Sequence, residues 1–481
     1  MQQNLAQQSY VGRSRRRFSP ARWPLVSAVG DGILLLVALV LVSTLAPYLS
    51  QDLRPWPYGM GTWDTELVWA ALALTAWGIA VRITEAHEPG NIAGRLSGPL
   101  CALLAIVLMT LLWSIFTYPF VSSVAAYTKV MLFFLALAIP IFGLWRVLLA
   151  EFINLPRFRP RAVIVGVNAA GEAVAREFQR AKRYTASVQG YISVSADEPP
   201  CSDGLPVLGG RSALGRMAHG GEIDMIIMAI DYKDNPALFQ DAVELAQLGI
   251  TVVPMSTAYE RTSGKIPVEH VGDQWYVALP SEVTPPPLHL CWRSLMDLVF
   301  GLLGTALVLL ALPILAALIY LDSPGPIFYV QERLGRNGRP FHIYKFRSMR
   351  PDAESKGQAV WAAEGDARVT RVGRFLRATH LDELPQALNI LRGEMSLIGP
   401  RPERREFVSE LEKLIPFYRC RLSVKPGLTG WAQVKYSYTR TGQEALEKLQ
   451  YDLYYVKHQS FMLDVFIVLK TAVEVLLYRG A

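Results

Sequence analysis

Four apolar stretches, 24–49, 67–81, 99–118 and 130–149, dominate the first third of the chain, each near the ~20 residues that a bilayer helix needs. Nothing constrains the fold more, because a segment in hydrocarbon must satisfy its own backbone hydrogen bonds. A mean hydropathy of +0.24 and 51% hydrophobic residues over 481 positions likewise favour an integral membrane protein. Arg13, Arg15, Arg16 and Arg17 precede the first stretch, and Arg146, Arg157, Arg159 and Arg161 accompany the end of the fourth. The loop around 118–129 is nearly uncharged, so both flanks read as cytoplasmic, as an even number of spans requires. The first run is too long for a cleaved signal and lacks a clear cleavage site, so it is expected to stay. Asp31 is its one carboxylate, placed either in the bundle interior or near the interface.

From Pro160 the pattern changes to alternating strand and helix signals. Strands are expected at 162–165, 188–194, 224–230 and 250–253, with a helix through Phe178, which is a Rossmann-like α/β pattern ending near 280. GVNAAG, 166–171, would set a phosphate at a helix start, but Asn168 stands where the dinucleotide fingerprint wants glycine. No acidic residue clearly ends the second strand, so a structural or regulatory domain is expected.

A proline-rich stretch, 281–287, opens a linker that runs to 292. The fifth apolar run, 298–321, is uncharged, yet Arg293 precedes it and Arg333, Arg336 and Arg339 follow it. Pro313 interrupts it by removing a helix hydrogen bond, so a kinked, re-entrant helix over about 295–321 is expected rather than a fifth span. Between 331 and 440 there are 21 Lys and Arg against 12 Asp and Glu, an excess above the +7 of the whole chain. Such a face attracts anionic lipid head groups and nucleotide phosphates. No nucleic-acid module accompanies it, which excludes nucleic acid as a partner. The four cysteines form no CxxC or zinc spacing. The closing run, 461–478, reads as an amphipathic surface helix or an ordinary packed one.

Within 371–401 the adjacent acids Asp382 and Glu383 fall where a helix should begin, with Pro385 tolerable in its first turn. Leu381, Leu384, Leu388 and Leu391 form one apolar stripe, while Asp382, Gln386 and Asn389 line a polar face, the last two as candidate substrate contacts. A carboxylate attacking a diphosphate meets charge repulsion, so cations must first neutralise the phosphate oxygens. Asp382, held ionised by the helix dipole, suits a nucleophile, and Glu383, with Asp382, suits Mg2+. Lys345, Arg347, Arg377 and Arg401 can supply the positive clamp.

KFRSM at 345–349, LDELPQ at 381–386, GEMSLIGPRPE at 393–403 and KPGLTGWAQV at 425–434 together resemble the bacterial polyprenyl-phosphate sugar-1-phosphate transferases. SPGPIFYVQERLG at 323–335 is similar to the same family, and the preceding residues resemble its long form. The resemblance implies a membrane α-helical bundle (1–155), a Rossmann-like α/β domain (156–280), a linker (281–292) and a mostly α, membrane-associated catalytic domain with a re-entrant helix (293–481). It further implies that a UDP-sugar, of glucose or galactose, and undecaprenyl phosphate give undecaprenyl-diphospho-sugar and UMP, initiating exopolysaccharide, capsule or O-antigen assembly. The implied setting is the cytoplasmic face of the bacterial inner membrane, with Mg2+ as cofactor and membrane lipids as partners; a homo-oligomer is left open. Asp382 would form the phosphosugar-aspartyl intermediate, Glu383 would bind Mg2+, and Arg377 and Arg401 would contact phosphate or nucleotide. One departure is Leu312, where small family members often place serine before the proline corresponding to Pro313. A nucleotide-sugar dehydratase or epimerase is the rival enzyme, but none of the twenty tyrosines has lysine four positions later. A transferase that leaves UDP and a non-catalytic assembly scaffold are two further rivals.

Overall fold

The computed structural model describes residues 23–49, 63–118, 124–181, 186–194, 203–231, 233, 235–270, 287–351, 366, 368–436 and 442–476. The arginines at 13–17, Cys201 and most of the proline-rich stretch (281–286) lie outside them. The chain forms two compact units, Met1–Ser263 and Gly264–Ala481.

Each amino-terminal apolar stretch is helical: α1 (Trp23–Leu49), α2 (Trp63–Ile83), α3 (Ser97–Thr117) and α4 (Val124–Ile153). By length and composition α1, α3 and α4 can cross a membrane, while the apolar part of α2 is the shorter Ala70–Ile83. Buried alanines, among them Ala73, Ala80, Ala102, Ala105 and Ala138, let these helices approach closely. Asp31 resolves to the bundle interior. Its carboxylate is fully buried and accepts from Arg146 Nη2 (2.5 Å), His87 Nε2 (2.8 Å) and Trp145 Nε1 (3.0 Å). Arg146 also donates to the Ala86 carbonyl at 2.7 Å, so one charge pair pins α1, α4 and the turn after α2.

The α/β part of this unit is a five-stranded parallel sheet in the order β3-β2-β1-β4-β5. Its elements are β1 (Arg161–Val165), α5 (Ala169–Arg180), β2 (Ser187–Ile192), β3 (Val207–Gly209), α6 (Arg211–His219), β4 (Met225–Met228), α7 (Pro236–Gln247), β5 (Thr251–Pro254) and α8 (Met255–Ser263). Alternate residues of β1 feed opposite cores: Ala162 and Ile164 pack toward α5 and α8, Val163 and Val165 toward α6 and α7. Asn168 caps α5 by accepting from Gly171 N (2.8 Å) and donates to the Ala229 carbonyl (2.8 Å). Its amide thus ties the end of β1 to the end of β4 at the position where a dinucleotide-binding turn would carry glycine.

The second unit is built on α9 (Pro287–Asp322), one uninterrupted helix with Pro313 inside it. Then come the hairpin β6 (Phe328–Leu334) and β7 (Pro340–Phe346), α10 (Arg371–Ala378), a 3₁₀ turn (Leu381–Gln386) and α11 (Ala387–Leu391). They are followed by β8 (Ser396–Ile398), α12 (Arg405–Leu414), β9 (Gly427–Thr429), α13 (Trp431–Lys435), α14 (Gly442–Lys457) and α15 (Phe461–Leu476). One stripe of α9 is buried, through Met296, Val308, Leu315 and Ile319. Leu302, Leu303, Leu309, Leu310 and Ile314 are exposed. Gly301 and Gly304 permit the approach of α11, since a Cβ at either would stand 2.7 Å from Leu391 or Ala387. The closing helix, α15, is a packed one. Its Ile467 is fully buried, and its Asp464 accepts from Tyr455 Oη (2.9 Å) and pairs with His289 of α9 (2.9 Å).

Removing the Asp31 carboxylate leaves Arg146 charged and unpaired in the bundle, which should cost about 3–5 kcal/mol. The Asp31→Ala full-length protein in detergent is therefore expected to unfold at a clearly lower midpoint; an unchanged midpoint would show that the pair pins nothing.

Candidate active site

Two segments distant in sequence converge on the turn that carries Glu383. Lys345 from β7 donates to Glu383 Oε1 at 2.7 Å, and Arg401, in the loop after β8, donates to the same oxygen at 2.6 Å. A second guanidinium nitrogen of Arg401 lies 3.5 Å from Oε2. Burial alone would raise the Glu383 pKa, but Arg401 and Lys345 override it and hold the carboxyl well below the usual range.

Asp382 differs from its neighbour. The sequence pattern sets it at the start of an α-helix, ionised by the helix dipole. In the structure, Leu381–Gln386 is instead a 3₁₀ turn entered through His380 in the left-handed region (φ 57°), and the α-helical part is only Ala387–Leu391. Pro385, without a backbone N–H, is accommodated by this tighter turn, so no long helix dipole points at Asp382. Burial first, and then the adjacent Glu383 charge, push the Asp382 carboxyl up to about 6 against the pull of Lys345, Arg377 and Arg401. Near neutral pH it is an ionised, poorly solvated carboxylate beside one fixed by two cations.

The position of Arg401 is set from three sides. β8 runs parallel to β9, and Gly399 N donates to the Thr429 carbonyl while Gly427 N donates to the Pro400 carbonyl, both at 2.9 Å. A Cβ at Gly399 would meet the Lys425 carbonyl oxygen at 2.4 Å, so only glycine allows these backbones to touch. From α9, Asp297 accepts from Ser396 Oγ (2.9 Å) and Leu397 N (2.8 Å), and Arg293 donates to the Ile398 carbonyl (2.7 Å). Buried Arg421 donates to the Arg401 carbonyl (3.1 Å) and pairs with Glu403 (2.5 Å) and Asp452 (2.7 Å).

Arg377, on α10, acts electrostatically on Asp382. Gln386 is buried beside the pair, and its Nε2 has no hydrogen-bond partner among the described residues. Asn389 is fully buried and committed to its neighbours. It accepts from Tyr344 N (3.2 Å) and donates to the His342 carbonyl and to Glu394, both at 2.7 Å. Arg347 turns to the far end of α9, donating to the Ser323 carbonyl. The sequence pattern does not single out Asp297, Arg421 or Asp452. Their isolated charges carry no motif signal until the fold brings them together.

The family described as bacterial sugar transferase matches residues 288–478. The chain is 32% identical over 343 residues to a UDP-glucose:undecaprenyl-phosphate glucose-1-phosphate transferase of Xanthomonas campestris pv. campestris, covering 69% of this chain and 70% of that protein. It is 40% identical over 232 residues to a UDP-N-acetylgalactosamine-undecaprenyl-phosphate N-acetylgalactosaminephosphotransferase of Aeromonas hydrophila, covering 48% of this chain and about half, 54%, of that relative. A putative undecaprenyl-phosphate N-acetylgalactosaminyl 1-phosphate transferase of Bacillus subtilis is 49% identical over 134 residues, 28% of this chain and 74% of that protein.

Arg421→Leu strands Glu403 and Asp452 in the interior and should cost about 3–5 kcal/mol of stability. The exposed pair Arg419 to Glu412, at 3.7 Å, gives the contrast: Arg419→Leu should shift stability by less than about 1 kcal/mol. Comparing the unfolding midpoints of the two full-length variants checks the assignment, and equal shifts would refute it.

Proposed function

This chain belongs to the bacterial sugar transferase family, and we propose that it moves a sugar 1-phosphate from a UDP-sugar to undecaprenyl phosphate at the cytoplasmic face of the bacterial inner membrane. The observation that carries this reading is the division within the acidic pair. Glu383 is fixed by Lys345 and Arg401, whereas Asp382 is buried beside it with a raised pKa. Two adjacent acids pushed apart in this way are suited to different tasks.

In the first step a carboxylate oxygen of Asp382 attacks the phosphorus that bears the sugar. The bond from that phosphorus to the bridging oxygen breaks, and UMP leaves with the electron pair. In the second, a phosphate oxygen of undecaprenyl phosphate attacks the same phosphorus, which frees Asp382 and forms undecaprenyl-diphospho-sugar. Lys345, Arg377 and Arg401 lower the repulsion between carboxylate and phosphate oxygens throughout. The donor set fits Mg2+, which binds through one or two carboxylates and completes its shell with water and phosphate oxygens. Glu383 Oε2 keeps coordination capacity, having only the 3.5 Å contact to Arg401 among the described residues, so Glu383 with Asp382 would hold the ion. When bound, Mg2+ would supply charge neutralisation of the diphosphate.

The re-entrant reading of α9 is supported by what holds its ends. At about 1.5 Å per residue, its 36 residues extend about 54 Å, well beyond a hydrocarbon core of about 30 Å. Yet His289 and Arg293 near its start bind Asp464 and Ile398, while Asp322 at its end accepts from Val372 N at 2.8 Å. Both ends thus belong to one folded unit, and Pro313 is where the helix axis would bend.

Purified full-length protein given UDP-glucose, UDP-galactose or UDP-N-acetylgalactosamine with undecaprenyl phosphate and Mg2+ is expected to release UMP; release of UDP would overturn the reading. Asp382→Asn, which keeps the shape and removes the charge, should bring turnover to background at an unchanged unfolding midpoint. For topology, one full-length variant would keep native Cys291 and a second would carry cysteine at the exposed Arg336, with the remaining cysteines changed to serine in both. An impermeant thiol reagent should reach both positions only in inside-out vesicles; labelling from opposite faces would exclude the re-entrant helix.

A further inference from the structure

Arg333, the penultimate residue of β6, lies against the loop that carries Arg401. Leu334 N donates to the Glu403 carbonyl at 3.0 Å, so the strand lies along that loop. The Arg333 guanidinium donates from Nη1 to the Pro402 carbonyl (3.4 Å) and from Nη2 to Gln331 Oε1 (2.7 Å). Its Nε is buried with no hydrogen-bond partner, and it pairs with no carboxylate among the described residues. Arg401 and Arg404 flank Pro402 and Glu403 in the chain and act on Arg333 electrostatically.

The nearby acids are committed elsewhere. Glu403 gives one oxygen to Arg421 (2.5 Å) and the other to Tyr418 Oη (2.5 Å), and Glu383 is shared by Lys345 and Arg401. Arg333 therefore stands among like charges without a carboxylate of its own among the described residues. Half-burying a cation in such surroundings is costly, and it is what a site for a multiply charged anion requires before it is filled.

We propose that Arg333, with Arg401 and Arg404, forms a phosphate-binding subsite next to the acidic pair that takes a second phosphate group of the reacting substrates. Burial, together with Arg404 and Arg401, lowers the Arg333 pKa to about 10, in keeping with an unbalanced cation. The identification of the anion as a substrate phosphate rests on the transfer reading above; the subsite itself rests on the arginines. The phosphate comes from one of two sources, the nucleotide diphosphate or the polyprenyl phosphate head group.

The test is binding by purified full-length protein, read by thermal shift with inorganic pyrophosphate, UDP, UMP and a short-chain polyprenyl phosphate as probes. Arg333→Gln, which keeps a donor for Pro402 but no charge, should weaken pyrophosphate binding by about tenfold, the scale of one charge-assisted hydrogen bond; Arg333→Lys should weaken it less. Arg404→Gln, outside the strand, should also weaken it and serves if Arg333→Gln does not fold. Loss against UDP but not UMP or the lipid phosphate assigns the subsite to the nucleotide's second phosphate. Loss against the lipid phosphate alone assigns it to the acceptor. Unchanged affinity for every probe in the folded variants would overturn the proposal and leave Arg333 a structural tie between hairpin and loop. Arginine-dependent pyrophosphate binding in a wild-type protein that releases no UMP would instead sink the transfer reading and leave the subsite standing.

Discussion

The carboxylate of Glu383 is the point at which the second unit's separate segments become one site. It is reached by Lys345 from a hairpin and by Arg401 from a loop between two short strands, and it lies on a turn of its own. Breaking such a half-buried arrangement by removing one partner leaves the others charged and less well compensated, which helps hold the three segments together. The same arrangement differentiates the acids. The cations contact Glu383 directly and act on Asp382 only from a distance, so one carboxyl is held far down and the other rises to about 6.

Arg401 in turn depends on parts of the chain outside the acidic pair. Asp297 and Arg293, in the first turns of α9, grip the strand that leads into its loop, and Arg421 grips its carbonyl from the other side. The same helix offers a continuous apolar face of leucines to its surroundings. A helix with an exposed apolar face on one side and the loop of Arg401 set by the other would make membrane insertion and site geometry a single packing problem. Loosening the start of α9 would move the ledge on which Arg401 stands.

How much of this is legible in the sequence follows from the range of each signal. The apolar runs announce their helices because length and composition act locally, and Asn168 departs from the dinucleotide fingerprint by its identity alone, while its role as the cap of α5 appears only in the structure. β3 escapes because three residues are too few to show alternation. The leucines at 381, 384, 388 and 391 fit a 3.6-residue period, yet a 3₁₀ turn can present its first two apolar side chains to the same core, so the period does not tell the forms apart. Asp382, Glu383, Lys345 and Arg401 are legible as chemistry. Asn389 is legible as polar but not as a strut joining helix to hairpin, since its partners lie 45 and 47 residues away. Arg421 and Asp452 look like surface charges, and only burial reveals otherwise.

Two buried ion networks, Asp31 with Arg146 and Glu403 with Arg421 and Asp452, recur in unrelated parts of the molecule. Buried salt bridges are poor sources of stability, because desolvation offsets most of the attraction and apolar substitutes of similar volume often do as well. Their value here is geometric. Leucines pack against leucines in many registers, but a guanidinium that must meet a particular carboxylate and a particular carbonyl accepts essentially one. In the membrane bundle that fixes which helices touch and at what height. In the second unit it fixes the carbonyl of Arg401, and through it the side chain that pins Glu383. Apolar segments alone can reach a membrane; registering them so that one arginine arrives at one glutamate needs interactions that fail when distance or direction is wrong.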